Sequence, residues 1–473
     1  MSATNLAVVI LAAGLGKRMY SQLPKVLHPL LGEPMLGHVL QAAARLAPTR
    51  IAVVTGHGKE RVQSYVAQWT ARHRAELPVG VEPACVEQPH QGGTGHAVQC
   101  AEPIWTDSDE VLILYGDTPL LTTSTLQLLR LARGEGLLSL LVGVLPDPTG
   151  YGRVLLDGAG QIDQVVEHKD ASTEQQKTTL INAGMMCASR AFLAAALPQL
   201  QPNNAQGELY LTDLLAVATK MGRSGVPHIL PDHRETQGVN NRAELAFATE
   251  ILRDRVNRQW MLLGVTLHDP QSTRIETSVV LQADCTLGAS VELRGKTTVA
   301  AGAVIDRGSV LTDVTVAAGA HVLPYTVATE AQIGPDAHVG PFAHLRMGTV
   351  LEAKVKVGNF VETKKAHLQA GAKASHLSYL GDAEIGPDCN IGAGTITCNY
   401  DGVNKFKTVL GRGVFIGSDT QLVAPVTLGD GAYVGAGTTV TCDVPAGALV
   451  FTRAPTVIKE GWVARKRTPK GQH

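Results

Sequence analysis

Several features that mark common protein classes are scarce in this chain. Its 473 residues carry a formal net charge of -1, which argues against general nucleic-acid binding by bulk electrostatics. The seven cysteines are dispersed without C-x-x-C spacing, which favours reduced thiols and a cytoplasmic location over a disulfide framework or a zinc site. The apolar run Leu6–Ala13 is too short to span a membrane and leads into glycines. We therefore expect neither a signal peptide nor membrane insertion.

Aromatic residues are also scarce, at 4%, whereas the chain has 49 glycines. In the C-terminal half, an aliphatic residue recurs every six positions and is often followed by glycine. The three longest runs are Val304, Val310, Val316, Val322; Ile333, Val339, Leu345, Leu351, Val357; and Leu410, Ile416, Leu422, Leu428, Val434, Val440. This period fits neither a helix nor simple strand alternation. It predicts a solenoid of short parallel strands, in which each aliphatic side chain stacks on one a coil away.

The N-terminal half alternates apolar runs with helix-like segments. The predicted strands are Leu6–Leu11, Ile51–Val54 and Val111–Tyr115, and the predicted helices cover 34–47, 60–71 and 94–101. Such alternation predicts a mostly parallel sheet with helices on both faces. Ligands of such sheets bind in the loops that follow the carboxyl ends of the strands. A charged stretch from 241 to about 263 predicts a connecting helix. A chain of this length is too long for one core, so two or more domains are expected.

A glycine-rich loop with two cations follows the first predicted strand. It begins at Leu11 and reads L-A-A-G-L-G-K-R-M. Gly14 and Gly16 permit close approach of the backbone to a phosphate chain, and Lys17 and Arg18 add positive charge. The loop lacks the ending of a Walker motif and the third glycine of the dinucleotide fingerprint. It predicts a phosphate site, although such turns often serve only to reverse the chain.

Two further segments of this half suit a nucleotide and a metal ion. Gly93-Thr94-Gly95 opens a predicted helix, where an anion or a base edge can bind. Asp117 ends an apolar strand in Tyr115-Gly116-Asp117, which predicts it at the carboxyl edge of the sheet. A lone aspartate there can be a helix cap. Opposite a phosphate loop, we interpret it as a Mg²⁺ ligand.

In the solenoid, polar residues collect where the six-residue repeat is interrupted. They include Arg346, Lys364, His376, Tyr379, Asn390, Asn399, Tyr400 and Lys405. The loop 398–407 interrupts the repeats as insertions on a binding face do. Each residue alone is also explained by exposure to solvent or by a turn, and a lone histidine is more often structural than catalytic.

Several of these segments together resemble one known family. The motifs are L-A-A-G-L-G-K-R-M, H-Q-G-G-T-G-H-A from His90, E-H-K-D from Glu167 and G-V-N-N-R from Gly238, followed by the hexapeptide region. In this order, over nearly all of the chain, they are similar to the bifunctional N-acetylglucosamine-1-phosphate uridyltransferases and glucosamine-1-phosphate acetyltransferases. The resemblance implies an α/β nucleotidyltransferase (Rossmann-like) domain followed by a left-handed parallel β-helix of hexapeptide repeats. The implied domains are 1–240 for uridylyl transfer, 241–264 as a linker helix, 265–450 for the β-helix and 451–473 as a tail.

The resemblance implies the residues of the first site. Those implied to bind the UDP-sugar are Leu11, Ala12, Ala13, Gly14, Lys25, Gln88, Gly93, Thr94, Gly152, Glu167, Asn182 and Asn240. Arg18 is implied to act in catalysis on the phosphates, and Asp117 and Asn240 to bind Mg²⁺. These roles suit phosphoryl-type transfer, which needs positioning and neutralisation of charge more than covalent chemistry. Leu15 and Lys17 depart from the family's usual residues.

The resemblance also implies a second site in the β-helix. Arg346, Lys364, Tyr379 and Asn390 are implied to bind glucosamine 1-phosphate, and Ala393, Asn399, Tyr400, Ser418, Ala436 and Arg453 to bind acetyl-CoA. His376 is implied as the general base. This role suits the chemistry, because the amine must lose a proton to attack the thioester and imidazole titrates near neutral pH. Met347 stands where the family often has proline.

The implied reactions use acetyl-CoA and UTP as co-substrates in two steps. Glucosamine 1-phosphate is first acetylated, and the product then receives uridylyl from UTP with release of pyrophosphate. A homotrimer is expected because a three-sided solenoid offers flat faces. Two alternatives stay open: a nucleotidyltransferase for another sugar phosphate with a structural β-helix, and a non-catalytic scaffold. The polar residues of the second site count against the first, and the loop with Asp117 and Asn240 counts against the second.

Overall fold

The computed structural model describes residues 5–204 and 206–467. The chain divides into two compact units, Met1–Arg255 and Val256–His473. The division falls inside a long helix, Arg242–Leu262, so the domain boundaries expected at 240, 264 and 450 stay a prediction. Within the described ranges, no helix combines the length and the apolar character needed to cross a bilayer.

A mixed β-sheet forms the centre of the first unit. Its strands and those of a small hairpin are β1 (Leu6–Ala12), β2 (Pro29–Leu30), β3 (Glu33–Pro34), β4 (Arg50–Thr55), β5 (Ala84–Glu87), β6 (Glu110–Tyr115), β7 (Leu138–Val144), β8 (Arg153–Leu156), β9 (Ile162–Val166), β10 (Leu180–Ser189) and β11 (Val226–Ile229). The order is β11-β7-β10-β6-β1-β4-β5, with β8 and β9 attached at β10. The strands β1, β4, β5 and β6 run parallel, whereas β10 runs antiparallel to β6 and β7. The prediction of a mostly parallel sheet is confirmed, with β9 and β10 as its exceptions.

Helices cover both faces of this sheet. They are α1 (Met35–Ala44), α2 (Lys59–Arg72), α3 (Thr94–Cys100), α4 (Glu102–Trp105), α5 (Thr123–Arg133), α6 (Arg190–Ala196) and α7 (Leu214–Lys220). The long helix α8 (Arg242–Leu262) follows them in the chain. Short 3₁₀ turns occur at Lys17–Met19, Lys25–Leu27, Gln175–Lys177, Leu197–Gln199, Leu211–Asp213 and His233–Thr236. Alternate residues of β1 enter different cores, because Val8 and Ile10 pack with α1 and α2 while Ala7 and Val9 pack with α3 and α6. Burial on both faces explains why β1 is apolar throughout.

The second unit is a parallel β-helix. One sheet has 11 strands: Thr266–Leu267, Thr286–Leu287, Val304–Ile305, His321–Val322, His338–Val339, Lys356–Asn359, Lys373–His376, Asn390–Ile391, Phe415–Ile416, Tyr433–Val434 and Leu449–Val450. The other has 17: Arg274–Ile275, Val280–Leu281, Glu292–Arg294, Thr298–Val299, Val310–Thr312, Thr315–Val316, Val327–Thr329, Ala331–Ile333, His344–Leu345, Thr349–Leu351, Glu362–Leu368, Tyr379–Ile385, Ile396–Cys398, Thr408–Leu410, Gln421–Val423, Val426–Leu428 and Thr439–Val440. A short helix, α9, covers Trp462–Arg467. The predicted solenoid is confirmed.

Stacked aliphatic residues fill the interior of the β-helix. Ile305 pairs with Val322, Val322 with Val339, and Val339 with Val357, and all four are fully buried. Burial of such side chains typically contributes about 1.5–3 kcal/mol each. Buried threonines at the corners form hydrogen bonds through their side-chain hydroxyls. The Thr326 hydroxyl, for example, donates to the carbonyl of Leu323 at 2.8 Å. The repeat of six therefore reflects one environment that recurs in every coil.

Candidate functional site

A cavity of about 200 Å³ lies in the first unit, beside the ends of β1, β5 and β6. It is lined by Leu11, Ala12, Ala13, Gly14, Lys25, Gln88, Gly93, Thr94 and Asp117, all of which were predicted for the UDP-sugar or the metal ion. Its remaining lining residues are Val26, Gln91, Ala97, Tyr115 and Glu208, which were not predicted. The parallel strands explain this convergence, because their carboxyl ends lie at one edge of the sheet.

The two glycines of the first loop have different surroundings. Gly16 adopts a left-handed conformation with φ of 59°, and a Cβ there would lie 2.7 Å from Cβ of Lys25. Gly16 is thus required by the fold, since it lets the loop pack on Lys25. A Cβ on Gly14 would meet no heavy atom within 4 Å in the described part of the chain. Internal packing therefore does not explain Gly14, and the space beside it is available to a ligand.

The opposite wall of the cavity is held by backbone and amide contacts. Gly93 has φ of 93°, and a Cβ there would lie 2.6 Å from the carbonyl oxygen of Leu209. The Thr94 hydroxyl accepts a hydrogen bond from the Leu211 amide at 2.9 Å. Gln88 is buried, and its Nε2 donates to the carbonyl of Gly93 at 2.9 Å. This contact fixes the Gln88 amide, and within the described residues its Oε1 accepts no hydrogen bond.

Lys25 lies between the two predicted metal ligands. Its ammonium forms an ion pair with the Asp117 carboxylate and donates to Oδ1 of Asn240 at 3.2 Å. Asp117 and Asn240 therefore present oxygen atoms to the same positive charge. Across residues 5–204 and 206–467, no group of three or more His, Cys, Asp and Glu side chains is arranged to hold a metal ion. Any ion at this position would need further ligands from substrate and water.

The three residues predicted for the sugar form a neighbouring group. The Asn182 amide donates to the carbonyl of Gly152 at 2.9 Å, and a Cβ on Gly152 would lie 3.4 Å from Oε1 of Glu167. Burial raises the pKa of Glu167, and Asp170 and Asp213 raise it further. The group does not line the cavity itself. Tyr115 connects the two, because it lines the cavity and also packs on Gly184, whose amide donates to Oδ1 of Asn182. Burial, with the charges of Asp117 and Glu167, raises the pKa of Tyr115 to about 12.

Arg18 lies apart from the cavity lining. It belongs to the turn Lys17–Met19, which is flanked by left-handed residues, Gly16 with φ of 59° and Tyr20 with φ of 47°. Its side chain is exposed. Two cations were predicted to bind the phosphates. Lys25 lines the cavity, whereas Arg18 is exposed on the turn Lys17–Met19 and does not line it.

In the second unit, three cations gather on adjacent coils. The Arg346 amide donates to the carbonyl of Thr363 at 2.9 Å, which sets Arg346 beside Lys364. The Lys364 ammonium lies next to Lys405, and this contact, with a smaller effect from Arg346, lowers the pKa of Lys364. Glu362 balances part of the charge through a 2.7 Å ion pair with Arg346. A concentration of like charges such as this favours binding of an anion.

The predicted general base lies one corner away from these cations. His376 is exposed, and its Nδ1 lies 2.7 Å from Oδ1 of Asn359 on the preceding coil. Since an amide oxygen only accepts, Nδ1 carries the proton and Nε2 is left as the basic atom. The Tyr379 hydroxyl lies over Gly381, which pairs in register with Lys364. Asn390 pairs with Lys373 and Phe415 in the neighbouring sheet.

The residues predicted for acetyl-CoA lie along several coils. Ala393, Ser418 and Ala436 each follow a glycine at the same position of three successive coils. Nη1 of Arg453 donates to the carbonyl of Ala436 at 2.6 Å, which extends the column by a coil. These four residues form what we call the thioester column.

The loop 398–407 carries the other two residues predicted for acetyl-CoA. Asn399 is buried and donates to the Asp382 carboxylate at 2.5 Å, whereas Tyr400 is exposed. The structure thus anchors this loop at Asn399 and leaves Tyr400 accessible.

Comparisons with known proteins agree with both halves of this description. Residues 8–169 match the MobA-like NTP transferase domain, and residues 407–442 match the bacterial transferase hexapeptide (six repeats). The chain therefore combines a nucleotidyltransferase domain with a hexapeptide-repeat transferase domain.

Relatives that match almost the whole chain identify its family more closely than the two domain matches do. The chain is 46% identical to the Bifunctional protein GlmU of Pelobacter propionicus, over 98% of this chain and 99% of the relative. It is 48% identical to that of Trichlorobacter lovleyi, over 98% of each, and 47% identical to that of Alkalilimnicola ehrlichii, over 97% and 96%. The chain belongs to this family of bifunctional N-acetylglucosamine-1-phosphate uridyltransferases and glucosamine-1-phosphate acetyltransferases, as its motifs predicted.

Proposed function

We propose that the cavity of the first unit carries out uridylyl transfer and that the polar residues around His376 carry out acetyl transfer. The observation that carries the first assignment is the convergence of Gly14, Lys25, Gln88 and Asp117 on one cavity at the carboxyl edge of the sheet. The second rests on the gathering of Arg346, Lys364 and Lys405 near a histidine whose Nε2 is basic.

In the first site, Leu11–Gly14, Gln88, Gly93 and Thr94 bind the nucleotide. The uracil edge carries one N–H donor, and Oε1 of Gln88 suits it because Nε2 is already bound to Gly93. The space beside Gly14 admits the phosphates close to the backbone. Gly152, Glu167 and Asn182 bind the acetylated sugar, and their group adjoins the cavity at Tyr115.

A magnesium ion fits the position that Asp117 and Asn240 share. Both side chains present hard oxygen donors, and both already face one positive charge, the Lys25 ammonium. When bound, the ion neutralises charge on the substrate phosphates. Asp117 and Asn240 would hold it, with substrate phosphates and water as its further ligands.

The chain's own groups position the uridylyl transfer and balance its charge. The phosphate oxygen of N-acetylglucosamine 1-phosphate attacks the α-phosphorus of UTP, and the bond to the β-phosphate oxygen breaks to release pyrophosphate. Lys25 and Arg18 stabilise the negative charge on the phosphates during this exchange. No covalent enzyme intermediate is required.

In the second site, His376 accepts a proton from the amine of glucosamine 1-phosphate. The amine nitrogen forms a bond to the thioester carbonyl carbon, and the carbon–sulfur bond breaks to release CoA. Arg346 and Lys364 hold the sugar phosphate, with Tyr379 and Asn390 beside them. The thioester column, with Asn399 and Tyr400, binds acetyl-CoA.

A homotrimer in the cytoplasm is the assembly that we propose. His376, Ser418, Ala436 and Arg453 are exposed on the isolated chain, and a neighbouring β-helix would enclose them. The free thiols of the seven cysteines support a reducing compartment. Light scattering should give three times the chain mass, and an active monomer would contradict the trimer.

The proposed activities are tested by two assays on the wild-type protein. One measures pyrophosphate release from UTP with N-acetylglucosamine 1-phosphate, beside other sugar phosphates and nucleoside triphosphates. The other measures thiol release from acetyl-CoA with glucosamine 1-phosphate. We expect both reactions, and we expect the first to stop when divalent ions are chelated. Efficient uridylyl transfer to another sugar phosphate, without thiol release, would favour a nucleotidyltransferase with a structural β-helix.

A further inference from the structure

Glu244 contacts both asparagines that precede α8. Its Oε2 accepts hydrogen bonds from the Asn240 backbone amide at 2.7 Å and from Nδ2 of Asn240 at 3.2 Å. Its Oε1 accepts from Nδ2 of Asn241. Neither Glu244 nor these contacts belong to the family motifs that predicted the site.

These contacts decide which end of the Asn240 amide faces the cavity. With Nδ2 on the Glu244 carboxylate, Oδ1 points to the Lys25 ammonium, 3.2 Å away. A flipped amide would place its oxygen against a carboxylate and its N–H₂ against an ammonium, so both contacts would be repulsive. The charges on the two sides therefore hold the Asn240 oxygen toward Lys25 and Asp117.

We infer that Glu244 is a positioning residue for the divalent-ion site, acting through the Asn240 amide; this inference rests on the proposed Asp117–Asn240 site. Glu244 touches neither the ion's other ligand, Asp117, nor Lys25 among its hydrogen bonds in the described residues. Groups that orient a metal ligand commonly change metal affinity about 10–100-fold when removed.

A purely structural role for Glu244 can be separated from this one. Oδ1 of Asn241 accepts from the Glu244 amide at 2.9 Å and caps α8. The Glu244 carboxylate accepts in return from the Asn240 backbone amide, so the arrangement is a variant of the capping box. Asn241→Ala removes this cap but leaves the Glu244 carboxylate on Asn240. It is therefore the matched control for damage to the helix start.

The test is a titration of the full-length protein with Mn²⁺, followed by electron paramagnetic resonance at saturating UDP-N-acetylglucosamine. We expect Glu244→Ala to weaken Mn²⁺ binding about tenfold or more. Glu244→Gln should weaken it less than Glu244→Ala, because its amide oxygen still accepts from Nδ2 of Asn240 but carries no negative charge. Asn241→Ala should lower the melting temperature about as much as Glu244→Ala and leave Mn²⁺ affinity unchanged.

Two outcomes would overturn the inference in different ways. If Asp117→Ala weakens Mn²⁺ binding and Glu244→Ala does not, or does so only as much as Asn241→Ala, Glu244 is a capping residue alone. If Asp117→Ala leaves Mn²⁺ affinity unchanged, the proposed ion site is wrong, and the inference fails with it.

Discussion

Two glycines, two residues apart in one loop, serve different purposes. Gly16 has a positive φ and packs on the Lys25 side chain, whereas the space beside Gly14 is open. A methyl group at position 16 therefore strains the folded protein, whereas one at position 14 interferes with ligand binding.

Alanine at these positions gives the first prediction. Gly16→Ala should destabilise the first unit by about 1–3 kcal/mol, because an L residue is strained in that conformation. Gly14→Ala should leave the melting temperature unchanged and lower uridylyl turnover roughly 10²-fold, as expected for a reacting group displaced by about 1 Å. Thermal melts and pyrophosphate release measure the two effects. A Gly14→Ala protein with normal turnover would show that the phosphates do not pass there.

Asn359 determines which ring nitrogen of His376 carries the proton. Its side-chain oxygen lies 2.7 Å from Nδ1 of His376. Asn359→Ala should lower acetyl turnover about fivefold, the effect of losing a hydrogen bond of about 1 kcal/mol. The KM for acetyl-CoA should not change. His376→Ala should lower acetyl turnover further, by about 10²–10⁴-fold. Equal losses in the two variants would mean that Asn359 does more than orient the ring.

At the scale of elements, the β-helix depends on residues that alternate within two-residue strands. In Val280–Leu281, Leu281 is 5% exposed and stacks inside, whereas Val280 is 54% exposed. Register explains the stack, since Leu281 pairs with Val299 on the next coil.

This strand provides a matched pair of variants. Leu281→Ala should lower the free energy of unfolding of the β-helix by about 2–5 kcal/mol, because it leaves a cavity in the stack. Val280→Ala should change it by less than about 0.5 kcal/mol. Chemical denaturation followed by circular dichroism compares them. Similar values for both variants would contradict the assigned register.

The sequence predicts these elements to different extents, for physical reasons. The β-helix is recognisable because every coil repeats one environment, so the six-residue period is present in the sequence. The strands β1, β4 and β6 are recognisable because both faces are buried. The antiparallel direction of β10 has no local signal, since it depends on pairing with strands distant in sequence.

The residues of the candidate sites are likewise only partly predictable from the sequence. Residues in motifs, such as Gly14 and Asp117, are predicted because their residue types suit phosphate and metal chemistry. Tyr115, at the end of β6, and Gln91 stand inside quoted motifs but were not predicted to line the site, and Glu208 lies outside the motifs. Their residue types do not by themselves indicate phosphate or metal chemistry, so their place in the cavity emerges only from the structure. The Glu244 capping pattern marks a helix start in the sequence, but its contact with the Asn240 side chain emerges only from the structure.

For the whole molecule, two units with separate cores imply two activities that can be separated. α8 contributes to the first unit through Arg242, which donates to the carbonyl of Met19 at 3.2 Å, and Arg255, which donates to that of Leu120 at 2.8 Å. A fragment ending near residue 250 should keep uridylyl transfer, and one ending at 262 should also melt at a higher temperature. A fragment ending at 241 should lose activity, since it lacks Glu244 and both arginines. Equal stability of all three would contradict a role for α8 in this unit.

We propose that one chain holds two independent active sites. The most direct test measures both half-reactions on the same preparations of Asp117→Ala and His376→Ala, with melting temperature and oligomeric state as controls. We predict that Asp117→Ala abolishes uridylyl transfer and keeps acetyl transfer. His376→Ala should do the reverse, with acetyl turnover about 10²–10⁴-fold lower. Loss of both reactions in either folded variant, or normal acetyl turnover in a stable His376→Ala assembly, would contradict two independent sites.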